Sequence, residues 1–538
     1  MAESERGSVL LITAGAYVGS ELAAEFGKLP PAFLPVGNRR LIAHQHAALA
    51  GSFDRIILTV PQDFPVAAHD REQLDGLGIE IVRVDPALHL PQSIVRALAE
   101  LGLLSGSLAV LHGDTLIYDI DYAARDTVSV AQASDAYGWA GCHIEDGRVT
   151  SVFGVPGDGV SEAPVLSGYF HFSDVELLLR GLLNHESDFV AAIDRYVEER
   201  PMTAVGSDRW LDFGHVHTYY ASRGRITTER AFNSLSVGDR IVVKRSTRAD
   251  RIEAEAGWYE RMPADLRLYL PHYLGRQDSH GYGIEFLYMA SLADLFVFGL
   301  LPEMVWSRIL QSCSDFLQAT ARHAAPPETA DEVMELYLPK TLQRLSDYAE
   351  ATRIDLERPW RINGIEVPSL LEIAHRSARR IAPPAPRHLS IVHGDFCFSN
   401  ILYDFRSHSV RAIDPRGQDA RSRATVWGDN RYDLAKLHHS VIGLYDLIVA
   451  GYCTTEAIAP YDMRLTLPAS ASFDAALAAF RRLFMRSHAE DFASVEAISL
   501  HLFLSMLPLH SDSPARQQAL LANALRLYAA IFPEDARA

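Results

Sequence analysis

The sequence predicts an α/β protein of two joined units: an open α/β sheet over residues 1–230, then a two-lobed unit over 231–538, with a small lobe of about 231–288 and a large lobe of about 289–538. Three observations carry this expectation. Apolar runs of strand length, Arg55–Val60, Ile79–Val84 and Leu108–Asp114, follow an opening VLLITAG, and helical stretches such as LPQSIVRALAEL lie between them, so a βαβ pattern repeats. Further on, HLSIV, SNILY and VRAI read as short strands around His393, Asp395, Asn400 and Asp414, the pattern of polar groups fixed at a loop mouth. From about Leu300 the apolar spacing turns helical, with Val305, Ile309, Leu310, Cys313 and Leu317 on one face of VWSRILQSCSDFLQATARHA.

A chain of 538 residues is too long for one hydrophobic core. Its 48% hydrophobic and 22% charged residues suit a soluble protein with several cores. Acidic residues outnumber basic ones, 68 to 50, and the formal net charge of -18 argues against nucleic acid or an anionic membrane as the main partner. Cys142, Cys313, Cys397 and Cys453 lie far apart with no C-x-x-C or zinc spacing, so they read as reduced thiols, Cys397 serving in packing. The opening apolar run is too short for a signal peptide's core, and no run approaches the roughly 20 apolar residues of a membrane span. A cytoplasmic protein is expected.

In chain order, SVLLITAGAYVGSEL is a buried strand, a turn containing Gly15 and Gly19, and a helix start, a geometry that brings backbone close to phosphate. Ligands of open sheets bind beyond the carboxyl ends of the strands, where Gly15 and Asp114 fall. With KLPPAFLPVGNRRLI (Lys28–Ile42), HGDTL (His112–Leu116), SGYFHF (Ser167–Phe172) and RWLDFGHVHTYYAS (Arg209–Ser222), this unit resembles the sugar-phosphate nucleotidyltransferase family, whose fold is Rossmann-like and GT-A-like. The resemblance implies that Asp114 of the GD motif and Asp212 of W-x-D-x-G hold a catalytic Mg²⁺. It also implies that Gly15 and Gly19 lie by the nucleotide, an NTP such as CTP, UTP, GTP or dTTP.

Two positions depart from the family pattern. Its usual cations after the glycine turn and in the P-K-P-L-L-P-V segment are Glu21 and Pro31 here, and a carboxylate beside a triphosphate is costly in a partly dry site. Lys28, Arg39 and Arg40 are near enough to substitute, and equally readable as loop charges. Active nucleotidyl transfer and a binding module without turnover therefore both stay open.

In the second unit Lys244 stands in the apolar strand RIVVKRS, and RADRIEAEAGWYERMP is a helix carrying Glu253, Glu255 and Glu260. Asp395 can accept a hydroxyl proton, while Asn400 and Asp414 can hold a cation against phosphates. The HGD-x4-N and ID signatures resemble the aminoglycoside phosphotransferase and choline kinase-like family, of two-lobed protein-kinase-like fold. The resemblance implies ATP as phosphoryl donor, Asp395 as the residue that orients or deprotonates the acceptor hydroxyl, and Asn400 and Asp414 as Mg²⁺ ligands. Lys244 with Glu255 would fix ATP, Glu253 and Glu260 being the alternatives.

The glycine-rich loop is poor, leaving Ser234, Ser236 and Gly238 as backbone donors, and Glu285–Tyr288 would meet the adenine edge. Asp433 matches an acid that braces the Asp395 loop in the family. IDPRG with GDNRYDLAKLHHS resembles a subgroup associated with bacterial capsule and surface-polysaccharide biosynthesis. Arg416, Arg421, Arg423 and Arg431 make that stretch basic, either meeting a phosphate or carboxylate of the acceptor or simply solvated.

The two halves together lead to the expectation of a bifunctional enzyme that phosphorylates a sugar, polyol or amino-alcohol hydroxyl with ATP and Mg²⁺, then couples the phosphate to a nucleotide. The alternative is such a kinase carrying a non-catalytic nucleotidyltransferase-like domain.

Overall fold

The computed structural model describes residues 8–49, 51–132, 137–155, 163–226, 233–237, 240–278, 280–468 and 470–535. The chain divides into two compact units, Met1–Ile226 and Thr227–Ala538.

The first unit is built on a nine-stranded sheet. Ile79–Val84, Arg55–Pro61, Val9–Thr13 and Leu108–His112 lie side by side in that order and are parallel. In the inner three the leucine and β-branched side chains are buried on both faces, which explains why those segments read as apolar runs, whereas Ile79–Val84 at the sheet edge exposes Glu80 and Arg83. The remaining five strands are mainly antiparallel, apart from the parallel pair Thr127–Ala131 and Met202–Gly206, so the sheet is mixed rather than wholly parallel. Chain order reverses at Val9–Thr13, flanked by Arg55–Pro61 on one side and Leu108–His112 on the other, and open sheets receive ligands at such a reversal. The loops leaving those two strands touch there: Gly113 N–H donates to the Thr13 carbonyl at 3.0 Å, and a Cβ on Gly113 would lie 2.6 Å from that oxygen. Only glycine permits the approach.

The second unit opens with a four-stranded antiparallel sheet ordered Asn233–Val237, Ile241–Ser246, Gly281–Glu285, Tyr273–Asp278, with the Ala249–Glu260 helix against it. Ser234 and Ser236, expected in a loop, are ladder residues of the edge strand, and Gly238 lies outside the described residues. Within Ile241–Ser246 the alternation buries Lys244, which stands opposite Tyr282. The N–H groups of Glu285 and Phe286 already bond the His272 and Arg240 carbonyls, so that part of the expected adenine edge is spoken for.

Beyond Leu292–Phe298 the body is mainly helical. On Glu303–Ala321 the buried face is turned from the expected stripe: Trp306, Cys313 and Phe316 are buried, while Val305 and Leu317 are half-buried. The aromatic rings set this rotation, Trp306 stacking on Phe398 (5.8 Å) and Phe316 on Phe396 (4.7 Å). The segment Phe492–His510 is long and apolar enough to cross a membrane, contrary to the reading of run lengths, but 72% of its apolar window is buried inside the protein. Four other helices of the unit surround it, which makes it a core helix. A small four-stranded sheet formed by Trp360–Ile362, Ile365–Val367, Asp462–Thr466 and Thr454–Ala459 had not been expected. Its first hairpin turns on Asn363 (φ 52) and Gly364 (φ 82), and the Asn-Gly pair was the available signal.

His501 joins three helices in this core, its ring bonded to Thr341 Oγ1 (2.9 Å) and Ser377 Oγ (3.1 Å), and burial pushes it down to about 4. A depressed histidine stays neutral in the fold, so its contribution to stability is full above its unfolded value of about 6.5 and is lost as the pH falls toward 4. His501→Gln, which keeps both hydrogen-bonding ends without titrating, is expected to remove roughly 3 kcal/mol of acid sensitivity between about pH 7 and 4, read from urea midpoints at the two values.

Candidate functional site

In the second unit Lys244, only 5% exposed, extends Nζ to Glu255 Oε2 at 2.7 Å and to Asp414 Oδ1 at 3.2 Å. Glu255 lies on the buried face of its helix and also accepts from Tyr282 Oη at 3.0 Å. Of the other two glutamates, Glu260 is bound to Arg276 and Tyr273, and Glu253 faces outward. Burial opposes the Lys244 charge, but Asp414 and Glu255 outweigh it and hold the ammonium above its ordinary value. The same burial pushes the Glu255 carboxyl up, against the pull of Lys244.

Asp414 sits at φ 56, left-handed backbone that a non-glycine residue seldom adopts. Three residues on, Gly417 (φ 63) is pressed against the Glu255 helix, where a Cβ would overlap the Ala254 carbonyl and lie 3.0 Å from Glu255 N. Gly417→Ala is expected to cost about 1–3 kcal/mol, checked by thermal melting, and to weaken the Asp414–Lys244 contact.

The loop His393–Asn400 follows strand Leu389–Ile391. Asp433, buried in the first turn of helix Asn430–Val441, accepts the N–H groups of His393 (2.7 Å) and Gly394 (2.8 Å) and so fixes the start of the loop. Burial raises Asp433 to about 7 despite those two donors. Asn400 Nδ2 donates to both the backbone oxygen and Oδ2 of Asp395, each at 3.0 Å. That orientation turns its amide oxygen away from Asp395. Asn400 in turn receives the Ile413 N–H on its carbonyl (2.9 Å), which brings the Asp414 segment alongside. Trp258, on the Glu255 helix, donates Nε1–H to the Val392 carbonyl at 2.8 Å and so ties the two lobes of this unit together.

Two residues were missed by the sequence reading. Lys436 reaches Asp395 Oδ1 at 2.7 Å; burial opposes its charge, yet Asp395 outweighs this and raises it. Its position three residues after Asp433 in RYDLAKL, on the same helix face, was the available signal. Tyr282, bonded to Glu255, gave none. Cys397 is buried, its thiol pushed up to about 12 by burial, and stays protonated as a packing residue. Of the arginines after Gly417, Arg421 is bound to Glu335, Arg423 to Glu332 (2.6 Å) and Asp419 (2.7 Å), and Arg431 to Asp429 (2.7 Å), so these three are structural.

In the first unit Gly15 packs so closely that a Cβ would overlap a Val84 methyl and lie 2.9 Å from Ser93 Oγ, whereas Gly19 faces open space. Asp114 and Asp212 are brought together. Strand Trp210–Asp212 pairs with Thr115–Ile117, Phe213 N–H donates to the Asp114 carbonyl at 2.8 Å, and a Cβ on Gly214 would lie 2.8 Å from Asp114 Oδ2 and 3.5 Å from Asp212 Oδ1. Beside them opens a cleft of about 510 Å³ lined in part by Trp139, Trp210, Asp212 and Thr218. The Trp139 and Trp210 rings lie 5.1 Å apart, and both indole N–H groups are buried without an acceptor among the described residues. Glu21 is exposed in the first turn of Ser20–Phe26. Arg40 is paired with buried Asp70 at 2.9 Å and donates to the Phe33 carbonyl at 2.8 Å, which makes it structural, while Lys28 is exposed with Nζ 6.0 Å from the Tyr17 ring.

Asp114 and Asp212 direct carboxylate oxygens to one place beside Gly214, and the Ile413 N–H bond to the Asn400 carbonyl brings Asp414 next to Asn400. No group of three or more His, Cys, Asp or Glu side chains suited to a metal occurs among the described residues. Two oxygens suit Mg²⁺, which takes one or two carboxylates and completes its shell with water and phosphate oxygens.

No protein-family model matches the chain, and no curated protein matches it. Solved structures similar to its N-terminal part include the nucleoside-diphosphate-sugar pyrophosphorylase from Vibrio cholerae RC9, at 15% identity over 40% of this chain and 99% of that one, with a TM-score of 0.33. Another is the CTP:phosphocholine cytidylyltransferase from Streptococcus pneumoniae, at 16% identity over 41% and 98% of the two chains, with a TM-score of 0.32. A UDP-glucose pyrophosphorylase complexed with UDP-glucose is similar at 14% identity over 41% and 99%, with a TM-score of 0.33.

Proposed function

We propose that the protein is a bifunctional kinase and nucleotidyltransferase. Its second unit transfers a phosphoryl group from ATP to a small hydroxyl acceptor, and its first unit joins the new phosphate to a nucleotide, releasing pyrophosphate. The product is an NDP-linked precursor of a surface polysaccharide. The observation that carries this reading is the buried Lys244–Glu255 pair joined to the half-buried Asp414 and set beside Asp395 and Asn400, an arrangement suited to holding ATP against a base.

Asp395 orients the acceptor hydroxyl and takes its proton as the oxygen attacks the γ-phosphorus. Lys436 and Asn400, each bonded to one Asp395 oxygen, fix the carboxylate's plane. Lys244, positioned by Glu255 and Tyr282, meets the α and β phosphates. Mg²⁺ held by Asn400 and Asp414, and another held by Asp114 and Asp212, would neutralise phosphate charge. In the first unit the acceptor phosphate displaces pyrophosphate at the α-phosphorus of an NTP, and the cleft beside Asp212 receives the acceptor's body.

A second reading keeps the kinase and makes the first unit a binding module. It is favoured by the exposed Glu21 and by Arg40's engagement with Asp70, which leaves Lys28 and Arg39 as the nearby cations of the first unit. Phosphorus NMR of the full chain with Mg²⁺, ATP, the other NTPs and a pool of hydroxyl acceptors separates the two. A phosphomonoester that converts to a diphosphate diester supports the bifunctional enzyme, a phosphomonoester that persists supports the second reading, and failure to consume ATP with any acceptor counts against both.

A further inference from the structure

We infer that the acceptor bears an anionic group of its own, a phosphate or carboxylate, received by Lys340, Arg344 and Arg416 beside Asp395. This rests on the kinase reading of that site and narrows it.

The placement follows from two helix starts pinned to each other. Tyr337, preceding helix Leu338–Thr352, donates Oη to Asp429 Oδ2 at 2.8 Å, and its ring lies 6.4 Å from Tyr432 on helix Asn430–Val441. One turn farther along each helix stand Lys340 and Lys436. Lys436 is engaged by Asp395. Arg416, Lys436, Arg344 and Asp395 all lie within electrostatic reach of Lys340, three cations to one carboxylate.

Lys340 and Arg344, four residues apart on one helix face, are half-buried and have no ion pair or hydrogen bond among the described residues. Arg416 is held beside Gly394 by its own N–H, which donates to the His393 carbonyl at 2.9 Å. Among the described residues its guanidinium meets only neutral oxygens, Tyr432 Oη and the Asp419 carbonyl, each at 3.5 Å. Arg421, Arg423 and Arg431 nearby all have carboxylates, so the chain supplies acidic partners freely in this region and withholds them from these three cations. Burial first, then Arg416, Lys436 and Arg344, push Lys340 well below the ordinary lysine range, an unfavourable arrangement that a bound anion relieves. An amino-alcohol would add a further positive charge to this cluster. Of the three acceptor classes, a sugar or polyol carrying a phosphate or carboxylate fits.

The test titrates inorganic phosphate into the full chain saturated with Mg²⁺ and a non-hydrolysable ATP analogue, following phosphorus line broadening in the wild type, in Lys340→Met/Arg344→Met and in Lys340→Arg. Saturable binding in the wild type, weakened about tenfold or more in the double variant and kept in Lys340→Arg, is expected. Equal binding in wild type and double variant, or no saturable binding in the wild type, overturns the inference. A fluorescence titration of the analogue separates the layers: a chain that binds nucleotide but not phosphate rejects only the anionic acceptor, whereas one that binds no nucleotide rejects the kinase reading and this inference together. Among matched acceptors, glycerol 3-phosphate and glycerate are expected to be used in preference to glycerol and choline, and efficient use of choline reverses the conclusion.

Discussion

Asp395→Asn is expected to slow phosphoryl transfer by about 10²–10⁴ while leaving ATP affinity nearly unchanged. Both carboxylate oxygens of Asp395 are engaged as acceptors, Oδ1 by Lys436 and Oδ2 by Asn400. The isosteric amide can satisfy only one of those donors and must turn its own N–H toward the other, so the group loses its basicity and its orientation at once. The Lys244–Glu255–Asp414 cluster uses none of these atoms, and nucleotide binding should persist. Single-turnover ADP release gives the rate, and analogue titration the affinity. A rate within a few fold of wild type would remove Asp395 from the chemistry.

Asp212→Asn should lower pyrophosphate release by about 10²–10³ and leave the kinase step intact. Asp212 belongs to the other compact unit, where its Oδ1 and Asp114 Oδ2 face the same point at Gly214 and its Oδ2 is held by Thr218. With acceptor, ATP and NTP all present, the variant is expected to accumulate the phosphomonoester that the wild type consumes. If ADP release falls in parallel with pyrophosphate release, the two activities are not separable in the way proposed.

The parallel strands of the first unit were legible because side chains buried on both faces leave continuous apolar runs, as in RIILTV and LAVLH. The antiparallel remainder was less so: its strands are interleaved with short loops and mix exposed and buried positions, as Ala140–Glu145 does. In the second unit the loop from His393 to Asn400 stood out by its likeness to an HGD-x4-N signature, and the five-residue separation lets Asn400 Nδ2 bond both the backbone oxygen and Oδ2 of Asp395. Glu255 was preferred to Glu253 and Glu260 through the family likeness, since helical spacing by itself does not say which glutamate faces the strand, and the fold pairs Glu255 with Lys244. Lys340 and Arg344 were unreadable for a different reason. Whether a cation is neutralised depends on what packs opposite it, and sequence distance to Asp395 carries no trace of that.

The Glu255 helix is fastened at three places: by the buried ion pair to Lys244, by the Trp258 bond to Val392 and by the seat it shares with Gly417. Swinging it outward would break the Lys244–Glu255 pair and the Trp258–Val392 bond, leaving Lys244 with Asp414 as its carboxylate partner. In the proposed kinase, displacing the Glu255 helix therefore costs three sets of contacts at once. A brake that acts by moving that helix would have to offset all of them, whereas one that acts by occupying a site would not.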